Sequence, residues 1–347
     1  MGNPINPPLN FGICECVRLN KLIRSEIPMD MLLQQLVNGF TVGCLYALLA
    51  IGYSMIYGVL KMVNFAHGEL FMLGPMFALF LMRILGILQG RLNMLPADLT
   101  GGQIGGILVL SLVGGAAFSA IVGVVMERTV YRPLRNHNAS WEIAMIAAMG
   151  VSLALQNATM LVFGHQQKGF PSIIKTKYFS VAGASFSNMQ LFILAFVVIL
   201  LIFLYYLVNR TYMGRCFRAV ALDRCAAGLM GVNVNAVIVF VFILGPAIGA
   251  ASGVLYAMTY GQVYYLMGMT VGMKGWIAAI IGGIGSIQGS VVGGFILGVL
   301  EVIGAGYLPL ITGGEMGAEY RNIFAFVMLI VFLLVRPQGL FGKRGVG

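Results

Sequence analysis

Apolar residues run along this chain in long blocks separated by short polar breaks. The candidate runs cover residues 32–57, 62–85, 104–126, 142–163, 189–208, 235–258, 271–287, 289–308 and 322–335. A helix needs roughly 20 apolar residues to cross a bilayer core. The seventh run is short and holds Lys274, and the join at Leu60–Lys61 has almost no loop. Both places predict broken or re-entrant helices, which need cover from protein or water inside a membrane. The pattern predicts an all-α, polytopic transmembrane bundle of eight to nine spans. It forms one transmembrane domain over residues 29–347. Residues 1–28 are polar and rich in Pro and Asn, with Arg18, Lys21 and Arg24 but no apolar core before a cleavage site, so they read as an N-terminal extension or a misassigned start.

Composition excludes a soluble domain. The chain is 59% hydrophobic and 9% charged, whereas soluble domains carry about a quarter of their residues as charges. The formal charge of +10 points to membrane orientation rather than nucleic acid, because the basic residues gather in a few loops. Arg128, Arg132 and Arg135 follow the third run, Arg210, Arg215, Arg218 and Arg224 the fifth, and Arg336, Lys343 and Arg344 the last. Cytoplasmic loops carry such excess. The arrangement that satisfies all three is nine crossings, with the N-terminus outside and the C-terminus inside. The loop over residues 164–188 then faces outward despite Lys168, Lys175 and Lys177. The five cysteines show no pairing pattern, and no structural disulfide is expected.

Glycines recur every four residues, which places them on one helix face. The rows are Gly245, Gly249 and Gly253; Gly285, Gly289 and Gly293; and Gly282, Ser286, Ser290, Gly294 and Gly298. Such strips let another backbone approach in lipid. Two segments share the pattern GxxxGxLYA, one from Gly39 and Gly43 to Ala47, the other from Gly249 and Gly253 to Ala257. With nine crossings they run in opposite directions, as an inverted repeat would produce.

Three stretches carry candidate chemistry. Asn64-Phe-Ala-His67-Gly-Glu69 places an amide, an imidazole and a carboxylate beside apolar sequence. Ionisable groups there are costly and usually face a cavity or a partner. The stretch reads either as a polar pair, His67 with Glu69, fixing a helix break at Gly68, or as the wall or gate of a path. Residues 212–233 begin basic and then offer a short Ala-rich helix over residues 221–230, closed by Gly231. Asp223 lies near its start, and Ala226, Ala227 and Met230 form an apolar knob suited to docking on a soluble partner. Lys274 either snorkels outward or faces a central cavity. The sequence has no HExxH metal site and no Walker A loop. No catalytic set and no cofactor are expected.

Together these stretches resemble the permeases of branched-chain amino acid ABC importers, in their H-type form. The resemblance rests on NGFTVGCLYALLAIGY (residues 38–53), NFAHGE (64–69), YRPLR (131–135), MGRCFRAVALDRCAAGLMGVN (213–233), the run from GMKGW to LGVLE (272–301) and RPQGLFG (336–342). The sequence departs from the family in residues 1–28 and in a short loop over residues 86–103. The resemblance implies a bacterial inner-membrane assembly of a second, homologous permease, two ABC ATPases and a periplasmic solute-binding protein. From their polar character beside apolar sequence, Asn64, His67, Glu69 and Lys274 are the candidate residues of the path or its gate. The resemblance further implies that Arg215, Arg218, Ala221, Asp223, Ala226, Ala227 and Gly231 form the ATPase-coupling loop. Urea, short-chain amides or aromatic acids compete with branched-chain amino acids as cargo. A self-sufficient secondary transporter or channel is the rival of another class.

Overall fold

The computed structural model describes residues 29–87, 101–174, 177–181, 184–311 and 320–342. The extension over residues 1–28 and most of the loop over residues 86–103 lie outside them. Twelve α-helices follow in order among the described residues: α1 Met29–Leu60, α2 His67–Ile84, α3 Gly101–Met126, α4 Arg132–Asn136, α5 Trp141–Phe163, α6 Asn188–Arg210, α7 Tyr212–Leu222, α8 Arg224–Leu229, α9 Val234–Tyr260, α10 Met267–Gly282, α11 Ile287–Ile311 and α12 Arg321–Val335. A π-helical turn, Glu127–Tyr131, joins α3 to α4. Among the described residues, seven helices are long and apolar enough to cross a membrane, and Met267–Gly282 and Ala325–Val335 are shorter apolar helices.

Local sequence sets many helix ends. Ser187 and Gln190 form a capping box at the start of α6. Thr211, Asp223 and Asn233 cap α7, α8 and α9 through side-chain oxygens. Gly261, in left-handed backbone, closes α9.

Cross-helix contacts fix the direction of each pass. Ser252 Oγ donates to the Leu45 carbonyl at 2.8 Å, and Gly52 lies against Gly245, so α1 and α9 are antiparallel. Ser119 Oγ donates to the Leu70 carbonyl at 2.9 Å and Ser111 Oγ approaches Met82 Sδ at 3.7 Å, which sets α3 against α2. One end of the bundle gathers the basic regions. There Arg135 Nη2 reaches Asn235 Oδ1 at 2.9 Å, Arg224 Nε reaches the Val59 carbonyl at 2.6 Å, and Leu340 N reaches the Ile281 carbonyl at 2.9 Å. This end is the cytoplasmic one by charge. At the opposite end Ser185 N donates to Gln34 Oε1 at 2.8 Å. There β1 (Lys168–Gly169) pairs with β4 (Gln262–Val263), and β2 (Tyr178–Val181) with β3 (Ala184–Ser187). The outward loop is therefore partly a hairpin.

The structure corrects several local expectations. The second helix starts at His67, not at residue 62, and the break occupies residues 61–66 rather than Gly68, which lies inside α2. Lys61 ends α1 in left-handed backbone, φ 55°. The stretch expected as one helix over residues 221–230 is two, because Asp223 turns extended to end α7 and cap α8. The expected run over residues 271–287 starts earlier, at Met267, and stops at Gly282. Gly285 therefore sits in a turn at φ 89° and does not share a helix face with Gly289 and Gly293. Gly282 and Ser286 likewise drop out of the third row, which survives on α11 as Ser290, Gly294 and Gly298.

Glycines seat the helices that cross at the centre. A Cβ on Gly43 would come 2.9 Å from Phe295 Cα, and one on Gly39 2.7 Å from Val299 Cα, so α1 lies backbone-close on α11. Gly249 and Gly253 instead face His67, Phe71 and Pro75 of α2. The two GxxxGxLYA segments thus meet different neighbours. The inverted relationship lies in the architecture, in a register other than that of these segments: long helix, six-residue break and short helix recur as α1–α2 and α9–α10.

Candidate functional site

The break over residues 61–66 is held by its own amide. Asn64 Oδ1 accepts from Ala66 N at 3.1 Å and from the Tyr131 hydroxyl at 2.7 Å, tying the break to the π-helical turn. His67 then starts α2 deep in the bundle, with its ring edge-on to Tyr53 at 4.7 Å between centroids and beside Gly52 and Gly249. Gly249 is near the middle of α9, so α2 begins halfway through the bundle. The start of α10 meets it there. A Cβ on Gly272 would fall 2.7 Å from Gly68 Cα, and one on Gly268 2.9 Å from Glu69 Cα. Only glycines permit that approach. Two shorter helices, of 18 and 16 residues, therefore begin inside the bundle and run to opposite ends, an arrangement that transporters use to aim helix N-termini at a substrate.

Glu69 lies at this meeting point and is 1% exposed. Its Oε1 accepts from Ser152 Oγ at 3.1 Å, and its Oε2 is buried with no hydrogen-bond partner. It opens on a cavity of about 230 Å³ lined by Tyr53, Ser152, Gln156, Met269 and Trp276. Gln156 Nε2 and Trp276 Nε1 are also buried and unpartnered. Buried polar groups are normally paired. Three such atoms on one cavity make it competent to hold a small polar group bearing both donors and acceptors.

Of the residues expected in the path, Glu69 lines the cavity, whereas Asn64 holds the break through Tyr131 and His67 packs against Tyr53, Gly52 and Gly249. His67 does not bond Glu69, because residues two apart leave α2 on opposite faces; Ser152 is the partner of Glu69. Lys274 does not snorkel. It is 8% exposed, bonds Glu301 Oε1 at 2.7 Å, and is not among the residues lining the Glu69 cavity. Ser152, Gln156 and Trp276 were not anticipated. The signal for the first two was their i, i+4 spacing on a largely apolar helix.

Residues 35–333 match the family described as branched-chain amino acid transport system, permease component. The chain belongs to the branched-chain amino acid ABC transporter permease family. Its relatives include the high-affinity branched-chain amino acid transport system permease protein BraD of Pseudomonas aeruginosa, 38% identical, covering 90% of this chain and 97% of BraD. LivH of Escherichia coli, a permease of the same description, is 36% identical over 90% of this chain and 96% of its own length. A probable branched-chain amino acid transport permease, LivH, of Methanocaldococcus jannaschii is 30% identical over 93% and 95%.

The cytoplasmic loop presents a second candidate surface. Leu222, Leu229 and Met230 are 80%, 84% and 84% exposed, an unusual display for large apolar side chains in a basic loop. Ala226 and Asp223 are exposed as well, whereas Ala227 is 5% exposed and turns inward. The expected knob is corrected at Ala227 alone, which is buried; Ala226 and Met230 are exposed as expected, and Leu222 and Leu229 add exposed apolar side chains. Asp223 Oδ1 accepts from Cys225 N and Ala226 N. Arg218 Nη1 donates to the Val208 carbonyl at the end of α6, while Arg215 is exposed, Ala221 is half-buried, and Gly231 turns the chain at φ 83°.

Proposed function

We propose that this chain is a permease subunit of a binding-protein-dependent ABC importer in a bacterial inner membrane, and that it forms half of the path for branched-chain or other small amino acids. The observation that carries the proposal is the Glu69 cavity at the junction of α2 and α10, within a fold shared with relatives named as branched-chain amino acid permeases. Glu69, Ser152, Gln156 and Trp276 give that cavity a carboxylate, a hydroxyl, an amide and an indole N–H, suited to the polar head of an amino acid. Asn64 and His67 hold the break from which α2 starts, and Lys274 fixes α10 to α11 beside it.

Two ABC ATPases would dock on the α7–α8 elbow, where Leu222, Leu229 and Met230 offer the grip and the capped α8 transmits motion. A second, homologous permease would complete the path, and a periplasmic binding protein would deliver cargo at the hairpin end. The test is uptake of radiolabelled leucine into proteoliposomes holding the assembled importer and its binding protein. Uptake that requires internal ATP and both permeases is expected. Uptake by this chain alone would replace the proposal with a self-sufficient transporter.

A further inference from the structure

The cytoplasmic end carries another concavity, of about 340 Å³, separate from the Glu69 cavity. Leu60, Met62, Leu134 and Ala144 give it an apolar floor, and Arg135 and Arg224 give it a charged wall. Trp141 stands at its rim, 61% exposed, at the end of a membrane helix where aromatic residues mark the lipid interface.

Each arginine is only partly used by the protein. Arg135 commits Nη2 to Glu127 Oε1 and Asn235 Oδ1, and Arg224 commits Nε to the Val59 carbonyl. Arg135 Nη1 and Arg224 Nη2 are buried without partners. Glu127 offsets Arg135 and lies 4.0 Å from Arg132. No described carboxylate stands within ion-pair distance of Arg224. Burial, and then the Arg135 charge, holds Arg224 below the ordinary arginine pKa, and Lys61 adds a further positive charge nearby. Two repelling guanidinium groups over an apolar floor are complemented by an anion attached to an apolar body.

We propose that this cavity binds the phosphate of an anionic phospholipid from the cytoplasmic leaflet. Guanidinium N–H groups match phosphate oxygens in pairs, and the apolar floor and Trp141 accommodate the start of the acyl region. Basic pockets between membrane helices on the cytoplasmic side have this recognition chemistry. The proposal does not depend on the cargo; because Arg224 begins α8, lipid retention and ATPase association are read separately.

The test uses the full chain purified in micelles containing phosphatidylglycerol or phosphatidylcholine, with retained lipid counted by native mass spectrometry. Wild type should retain phosphatidylglycerol preferentially. Arg224→Gln should weaken that retention about fivefold, the scale of one basic contact to an anionic lipid, and Arg224→Lys should keep part of it. Ala144→Phe should lower retention by filling the floor while leaving both arginines in place, which keeps the test open should Arg224→Gln misfold. Arg128→Gln, an exposed basic residue outside the cavity, should retain lipid normally. Equal retention in all variants would overturn the proposal. So would release of the lipid by millimolar inorganic phosphate, which would assign the cavity to free phosphate. Normal retention with lost ATPase association in Arg224→Gln would assign it to an acidic side chain of a partner instead.

Discussion

Lys274 Nζ stands 2.7 Å from Glu301 Oε1, and the Tyr46 hydroxyl donates to the same oxygen at 3.2 Å. The three residues come from α10, α11 and α1, so one buried ion pair with a phenol ties together the short helix and the two long helices around it. Replacing Glu301 by Ala would leave the Lys274 ammonium buried without its counter-charge, at a cost of about 3–5 kcal/mol. Thermal unfolding of the purified permease should show the loss, and adding Lys274→Met should recover part of it. A Glu301→Ala protein as stable as wild type would mean that Lys274 finds water instead.

The Glu69 cavity leads to a split between transport and assembly. Glu69→Ala should insert and assemble normally but lose most uptake, because Ser152 holds only one carboxylate oxygen and the other faces the cavity. In a background without native cysteines, Ser152→Cys should react with a water-soluble thiol reagent in at least one state of the ATP cycle. Near-normal uptake by Glu69→Ala, with Ser152→Cys protected throughout, would make the cluster purely structural.

The α7–α8 elbow separates two kinds of substitution. Met230→Glu and Leu229→Glu alter exposed apolar side chains, so they should abolish coupling between ATP hydrolysis and uptake with little change in permease stability. Ala227→Arg strikes a buried position and should destabilise the elbow itself. Gly231→Val forces a β-branched residue to φ 83°, which costs about 1–3 kcal/mol. ATPase activity and uptake measured together distinguish these outcomes, and tight coupling in Met230→Glu would remove the docking surface.

Glycine substitutions should divide by neighbour. Gly249→Leu meets the His67 ring, which a Cβ would already approach at 3.3 Å, and should cost roughly 1–3 kcal/mol as an overpacked site. Gly150→Leu has nothing within 4 Å and should be neutral. Equal melting temperatures for the two variants would show that α9 does not seat on α2 as described.

The sequence alone determined the medium and the polytopic helical class of the fold, and it set an expectation for the direction of the passes. Those depend on the length of apolar runs and the placement of arginines such as Arg132, Arg215 and Arg336, which are local, additive properties. It also marked Asn64, His67 and Glu69 as out of place in lipid, because a polar side chain there is costly wherever the chain goes next. What it could not determine was who meets whom. His67 and Glu69 looked like partners because they are close in sequence, yet two residues along a helix put them on opposite faces and Ser152, far along the chain, takes the carboxylate. Gly285 looked like a member of a helical row until the helix ended at Gly282. Lys274 looked lipid- or cavity-facing because its partner Glu301 lies on the following helix and becomes a neighbour only when α10 and α11 pack antiparallel. Periodicity reports which face of a helix is apolar, whereas the identity of the opposing face is set by packing of distant segments, and that only the tertiary structure decides.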